Sequence, residues 1–526
     1  MSEILFGQSY YLRFDPKLWE AMQPYPPLGT MYAASFVRQR GYEAAFFDAM
    51  LAGSERDWAE AVDRQRPRFA VIYEDNFNYL SKMCLLRIRQ AALAMIEMAR
   101  DRGCTVIVAG SDATDHPDVY LAAGADFVLI GEGEYTLAAL LDRLTGRSDL
   151  PLESIQGLAT RDERGESAPG GLSGVVRTPR RDDITDLDAL PFPAWDLVDV
   201  ARYQEIWHRR HGYYSMNMVT TRGCPFHCNW CAKPIWGQRY NARSPENVVD
   251  ELDLLKRTYA PDHIWFADDI MGLEAGWLQR FAELVEARGV RVPFKCLNRV
   301  DLLLRDGDVE ALARAGCQIA WIGAESGTQK ILDAMEKGTR VEQIYEATRR
   351  LHAAGIQAGF FLQFGYPGET RQDVERTLQM VRDCRPDDVG MSVSYPLPGT
   401  KFYERVKEGL GSRQNWQDSN DLAMLYHGSF DTAFYRQLHT VLHKEFRARR
   451  SWHALKRAAG AGALLQKEHL RRAAAMFYHA ATLPVARWRL DRLATTAPGA
   501  CGPLPPGLDA DGAATPSPQK AGLQRR

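Results

Sequence analysis

The chain has 526 residues, enough for two or three domains at about 150 residues each, and an ordinary globular composition, 45% hydrophobic and 25% charged, with ample core. A formal net charge of −2 gives no general field for nucleic acid or membranes, and no run of about 18 unbroken apolar residues marks a membrane span. Nine cysteines, an odd number with one tight triplet, and no N-terminal signal pattern point to a reducing cytoplasm rather than a disulfide framework.

Residues 1–145 alternate apolar strands with helices. Strands are expected at 4–6, 44–48, 69–73, 105–109 and 127–130, and helices at 29–40, 55–66, 80–102, 117–123 and 134–144. That order means a doubly wound parallel sheet covered on both faces, whose ligands sit at the carboxyl ends of the strands. The loops at Gln8, at 74–79, at Gly110-Ser-Asp-Ala-Thr114 and at Gly131-Glu-Gly-Glu134 all fall on that edge. The long aromatic loop from Tyr10 to Tyr25 is expected to overhang it. Residues 146–205 loosen into a small hairpin with a Gly/Ser-rich turn and an ordered, Pro-containing linker, so the domain boundary belongs there.

The next stretch is Val219-Thr-Thr-Arg-Gly-Cys-Pro-Phe-His-Cys-Asn-Trp-Cys231, directly after an apolar run that reads as a strand at 216–220. Cys224, Cys228 and Cys231 have C-x3-C-x2-C spacing, and three soft thiolates on one short loop suit the corner of an iron–sulfur cluster. A four-iron cluster so held has one iron without a protein ligand. The competing reading is a zinc knuckle, with His227 inside the loop as a rival ligand, although zinc normally takes its fourth ligand from a second close-spaced pair. Strands follow at 263–267, 293–298, 317–323, 357–364 and 388–393, separated by helices at 244–259, 276–289, 308–315, 341–355 and 370–384. Six βα repeats make a partial (β/α)6 barrel over residues 206–425, with active-site groups at strand carboxyl ends. Cys296 and Cys317 lie within apolar strands and read as core.

The cysteine loop resembles the cluster motif of the radical S-adenosylmethionine (SAM) superfamily, in which SAM's amino and carboxyl groups chelate the unique iron of a [4Fe-4S] cluster. Set ahead of it, Pro26-Pro-Leu-Gly, Gly110-Ser-Asp-Ala-Thr114 and Gly131-Glu-Gly-Glu134 resemble the cobalamin-binding domain of cobalamin-dependent radical SAM enzymes. Asp-x-His-x-x-Gly, whose His ligates cobalt in other cobalamin proteins, is absent; Asp115-His116 is the nearest approach. Members of this group commonly lack that motif, which implies a cobalt with no protein His below it. The resemblance further implies that Asp268 and Asp269 hold the SAM ammonium, that Arg299 pairs with its carboxylate, that Glu325 and Ser326 contact its ribose and amino acid, and that the loop at Gly365 lies near its adenine. Gly110, Ser111, Asp112, Thr114, Gly131 and Glu132 are the corresponding cobalamin contacts. For Asp269 and Arg299 the lesser alternative is a structural ion pair across neighbouring strands, and Glu132 and Glu134 equally suit the acidic first turn of a helix.

Residues 426–495 form a basic helical region, either a solvated appendage or a peripheral contact with anionic lipid or a lipid-borne substrate, and Pro-, Gly- and Ala-rich residues 496–526 are expected to be disordered. The resemblance implies SAM cleavage to a 5′-deoxyadenosyl radical that takes hydrogen from an unactivated carbon of a small-molecule substrate, with electrons from a donor such as flavodoxin or ferredoxin. Methyl transfer is the leading outcome. Oxidative cyclisation, as in the anaerobic magnesium-protoporphyrin IX monomethyl ester cyclase, fits the same motifs, and a non-catalytic cobalamin or redox sensor is the contrasting class.

Overall fold

A computed structural model describes residues 2–161, 174–231, 235–460 and 467–496. The first sheet runs β2-β1-β3-β4-β5-β6-β7, with β1 (Ile4–Gly7), β2 (Ala44–Phe46), β3 (Phe69–Tyr73), β4 (Thr105–Ala109) and β5 (Phe127–Leu129) parallel. Helices cover both faces, so β3 is buried along its whole length and β4 is buried after its first residue, Thr105. The hairpin expected in the linker joins this sheet. β6 (Leu158–Arg161) pairs antiparallel with β5, and β7 (Val175–Arg177) with β6. The Gly/Ser-rich turn between them lies largely outside the described residues, as does the tail expected to be disordered.

The helix expected at 80–102 is two helices, Tyr79–Met83 and Leu86–Arg100. Cys84 stands between them at φ 49°, a left-handed conformation that ends the first helix.

The second sheet contains β8 (Ser215–Met218), β11 (His263–Phe266), β12 (Phe294–Asn298), β13 (Cys317–Glu325), β14 (Gln357–Phe364) and β15 (Asp388–Val393), all parallel, in the order β15-β14-β13-β12-β11-β8. It is the six-stranded half-barrel expected from the sequence. Local signals hold its helices: Ser244 caps Pro245–Tyr259 by accepting from the Asn247 N–H, with Pro245 in the first turn, a contribution of about 1 kcal/mol. A two-stranded ribbon of β9 (Thr221–Gly223) and β10 (Tyr240–Ala242) was not apparent in the sequence, nor was the helix Gln329–Ala334.

One apolar cluster runs through both sheets' partners, joining Tyr10, Tyr25, Leu28 and Met31 of the first domain to Trp207, Met216 and Phe266 of the second. Tyr25 packs between Trp207 and Trp265 with tilted rings, centroids 5.2 and 4.8 Å away, and its hydroxyl meets the Ser215 hydroxyl at 2.9 Å. Tyr10, Tyr11 and Tyr25 of the aromatic loop are therefore buried packing and not an open rim. The tail is a helical hairpin, Thr432–Gly460 and Lys467–Thr496, docked through the buried Phe434, Tyr435, Leu438 and Val441 of its first helix. Among the described residues no helix is long and apolar enough to cross a membrane.

Candidate active site

The cysteine loop begins at the carboxyl end of β8, and its foot is fixed by Asp268 at the end of β11. The Asp268 carboxylate accepts from the Thr220 N–H at 2.6 Å, the Thr220 hydroxyl at 2.7 Å and the Thr221 N–H at 2.9 Å. Burial pushes its pKa up to about 6. Asp268, expected to hold the SAM ammonium, thus accepts three hydrogen bonds inside the protein, aligning the strand that leads to Cys224. Gly223 carries the turn at φ +81°, and a Cβ there would collide with the Arg239 carbonyl oxygen.

Asn229, between the second and third cysteines, pins the middle of the loop. Its amide donates to the Ala334 carbonyl at 2.8 Å and accepts from the Tyr366 hydroxyl at 2.9 Å, while its N–H donates to Met335 O and its carbonyl accepts from the Phe402 N–H. No sequence signal beyond its position between two cysteines marked it.

Cys224, Cys228 and Cys231 are half-buried and none is in a disulfide. Among the described residues no three His, Cys, Asp or Glu side chains stand close enough to hold a single metal ion. A cubane bound through three corners takes each thiolate at a different iron, so its ligands stand apart. Cations surround the loop. Arg299 lies over the Phe226 ring, 3.5 Å from its centroid, with Nη1 3.9 Å from Cys228 Sγ. Lys337 feels the charge of Cys228, and Lys82 that of Cys231 and Cys224. Three thiols on one loop, bordered by cations each paired with a carboxylate, fit a thiolate-ligated cluster.

The other residues expected around SAM converge on the same end of the barrel, but most are already engaged. Arg299 forks onto its neighbour Asp301 at 3.0 and 3.1 Å and donates to the Lys337 carbonyl at 3.1 Å, an ion pair within one loop and not the one across neighbouring strands that was the alternative. Glu325, at φ +55°, accepts from Lys337 Nζ at 2.8 Å. The Ser326 hydroxyl meets those of Thr328 and Thr377, at 3.2 and 3.3 Å. Gly365, at φ +78°, donates to Glu369 at 2.7 Å and accepts from the Tyr426 hydroxyl. Asp269 pairs with Lys82 of the first domain at 2.8 Å.

On the first sheet's carboxyl edge, Gly110 has φ +152°, where a Cβ would stand 2.7 Å from Glu74 Cβ. Ser111 donates to the Asn76 side chain at 3.1 Å, and Thr114 accepts from the Gly131 N–H at 3.1 Å. Asp112 is clamped by Arg89 at 2.7 Å and Tyr120 at 2.6 Å, which together outweigh burial and hold it below the ordinary carboxylate range. Glu132 accepts from Arg222 at 2.8 Å and from the Trp236 indole at 2.9 Å, and Glu134 accepts from Arg222 at 2.7 Å. The side chains of Asp112 and Glu132 are therefore internal ties. Expected as cobalamin contacts, they are engaged inside the protein, where they support the backbone of their loops.

Arg222 lies two residues before Cys224, so this buried pair of ion pairs brings the carboxyl edges of the two sheets face to face. Tyr79 lines the cleft between them. Its surface is 51% open, within reach of the charges of Cys231 and Glu325.

Residues 218–381 match the family model of the radical SAM superfamily. This part of the chain is a radical SAM domain. The chain is 26% identical over 400 residues to the uncharacterized methyltransferase PH0819 of Pyrococcus horikoshii, covering 74% of this chain and 81% of that one. It is 26% identical over 391 residues to the anaerobic magnesium-protoporphyrin IX monomethyl ester cyclase of Rubrivivax gelatinosus, covering 73% of this chain and 66%, slightly under two thirds, of the cyclase. The fold is shared with TsrM, a radical SAM methyltransferase from Kitasatospora setae solved with cobalamin and a [4Fe-4S] cluster bound, at a TM-score of 0.61 and 19% identity, over 78% of this chain and 75% of that one.

Proposed function

We propose that this chain is a radical SAM enzyme that uses a [4Fe-4S] cluster, SAM and cobalamin to methylate an unactivated carbon of a small molecule held between its two sheets. The carrying observation is the Arg222 bridge, which sets the cysteine loop against the Gly131–Glu134 loop of the first sheet. A substrate between those edges would meet the cluster side and the cobalamin side together.

In this reading Cys224, Cys228 and Cys231 hold the cluster, and Arg299, Lys337–Glu325 and Lys82–Asp269 form the charged wall toward SAM. The backbone of Gly110–Thr114 and Gly131 cradles cobalamin without a His ligand. Bound there, the groups supply SAM cleavage to a carbon-centred radical and a transferable methyl group. The protein aligns them, excludes water through the shared apolar cluster and balances the thiolate charge. The names of PH0819 and TsrM as methyltransferases support methyl transfer; the cyclase relative favours oxidative cyclisation as a second reading. Anaerobically reconstituted protein given cobalamin, SAM and a reductant such as flavodoxin or ferredoxin should form S-adenosylhomocysteine. SAM cleavage without it contradicts methyl transfer.

The second tail helix adds a peripheral membrane contact to this reading. Leu470, Phe477, Val485 and Trp488 are exposed on one face, opposite the buried Ala486 and Leu490, and Arg471, Arg487 and Arg489 flank them. An apolar stripe bordered by guanidiniums complements an anionic lipid surface.

A further inference from the structure

A cleft of about 610 Å³ lies at the far end of the half-barrel, between the sheet and the tail hairpin. Gln357 in its wall opens β14, and Asp387 directly precedes β15, so it sits at the amino ends of strands whose carboxyl ends face the cysteines. Eight residues of β14 separate the two ends by about 25 Å.

Arg382, Arg385, Arg449, Arg450, Arg457 and Arg472 line this cleft against only two carboxylates, Asp387 and Glu445. Both carboxylates are already engaged. Glu445 accepts from Arg382 at 2.6 Å, Arg449 at 3.2 Å and Arg487 at 2.6 Å. Asp387 accepts from His352 at 3.0 Å and the Ala358 N–H at 3.0 Å. Among the described residues, Arg385, Arg450 and Arg457 have no carboxylate at ion-pair distance. The charge is felt inside the cleft: burial and then Arg385, Arg457 and Arg449 push His453 below its ordinary range.

Guanidiniums that outnumber the carboxylates of a concave site repel one another, and an anion relieves that repulsion. Their planar forks match phosphate oxygens, and the volume is within the roughly 300–1,000 Å³ of ligand sites, larger than a bare phosphate needs. We propose that this cleft binds a phosphate-bearing ligand, a soluble phosphate ester or diphosphate or else a phospholipid headgroup, at a site remote from the radical chemistry.

The test uses the full chain at fixed ionic strength with two probes: inorganic pyrophosphate by calorimetry, and phosphatidate-containing against phosphatidylcholine vesicles by cosedimentation. Arg450→Gln/Arg457→Gln, which removes neither an ion pair nor a cluster contact, should weaken binding by about tenfold or more while SAM cleavage is unchanged. Pyrophosphate binding lost in the variant supports a soluble ligand; phosphatidate-dependent sedimentation lost in the variant supports a headgroup. Failure of the wild type to bind either probe, or equal binding by the variant, overturns the proposal. Should circular dichroism show the double variant misfolded, Arg385→Gln is read in the same way.

Discussion

At the scale of single residues, Arg222 has the largest expected effect on stability. It is buried with Glu132 and Glu134, and removing its guanidinium strands two carboxylates in the interior. Arg222→Met should cost about 3–5 kcal/mol in denaturant unfolding, the penalty of breaking a buried pair from one side. A loss below about 1 kcal/mol would mean that water reaches the pair. Glu369 gives a pH signature. Burial raises its pKa to about 8 from an ordinary 4.5, and its Oε1 has no hydrogen-bond partner. The folded state therefore holds a proton that the unfolded chain releases above pH 4.5. Its contribution to stability is complete below that value and falls away as pH rises through 8. Glu369→Gln should flatten the decline in melting temperature between pH 5 and 8, and an unchanged slope would assign the proton elsewhere.

At the scale of elements, the exposed stripe on the second tail helix makes its own claim. Phe477→Glu/Trp488→Glu should abolish flotation of the full chain with anionic liposomes and leave its helix content unchanged; flotation that persists would remove the membrane reading. Strands were the most legible elements in the sequence. Continuous apolar runs such as Phe69-Ala-Val-Ile-Tyr73 and Thr105-Val-Ile-Val-Ala109 can only be buried parallel strands in a chain of alternating helices, and β14 and β15 lie where the pattern placed them. Ribbon β9–β10 escaped because three-residue strands such as Thr221-Arg-Gly223 carry no periodicity. The break at Cys84 escaped because a left-handed cysteine is imposed by packing and not by propensity. Candidate site residues were correctly gathered at strand ends, but the direction of each side chain was not legible. Whether Asp268 faces a ligand or the Thr220–Thr221 backbone depends on a partner 48 residues away, and Arg222 meets Glu132 across 90.

At the scale of the whole molecule, two sheets with facing carboxyl edges share one apolar cluster and one buried charge bridge, so the cysteine loop and the loops of the first sheet are built as one site. In the proposed function this single site takes both an iron–sulfur cluster and cobalamin. The most direct measurement is the iron, sulfide and cobalt content of protein purified anaerobically from cells supplied with cobalamin, beside Cys224→Ala/Cys228→Ala/Cys231→Ala. The expected result is about four irons, about four sulfides and about one cobalt per wild-type chain, with iron and sulfide lost from the variant and cobalt retained. A full cluster without cobalt would contradict the claim for the first sheet, and cobalt without iron would contradict it for the cysteine loop.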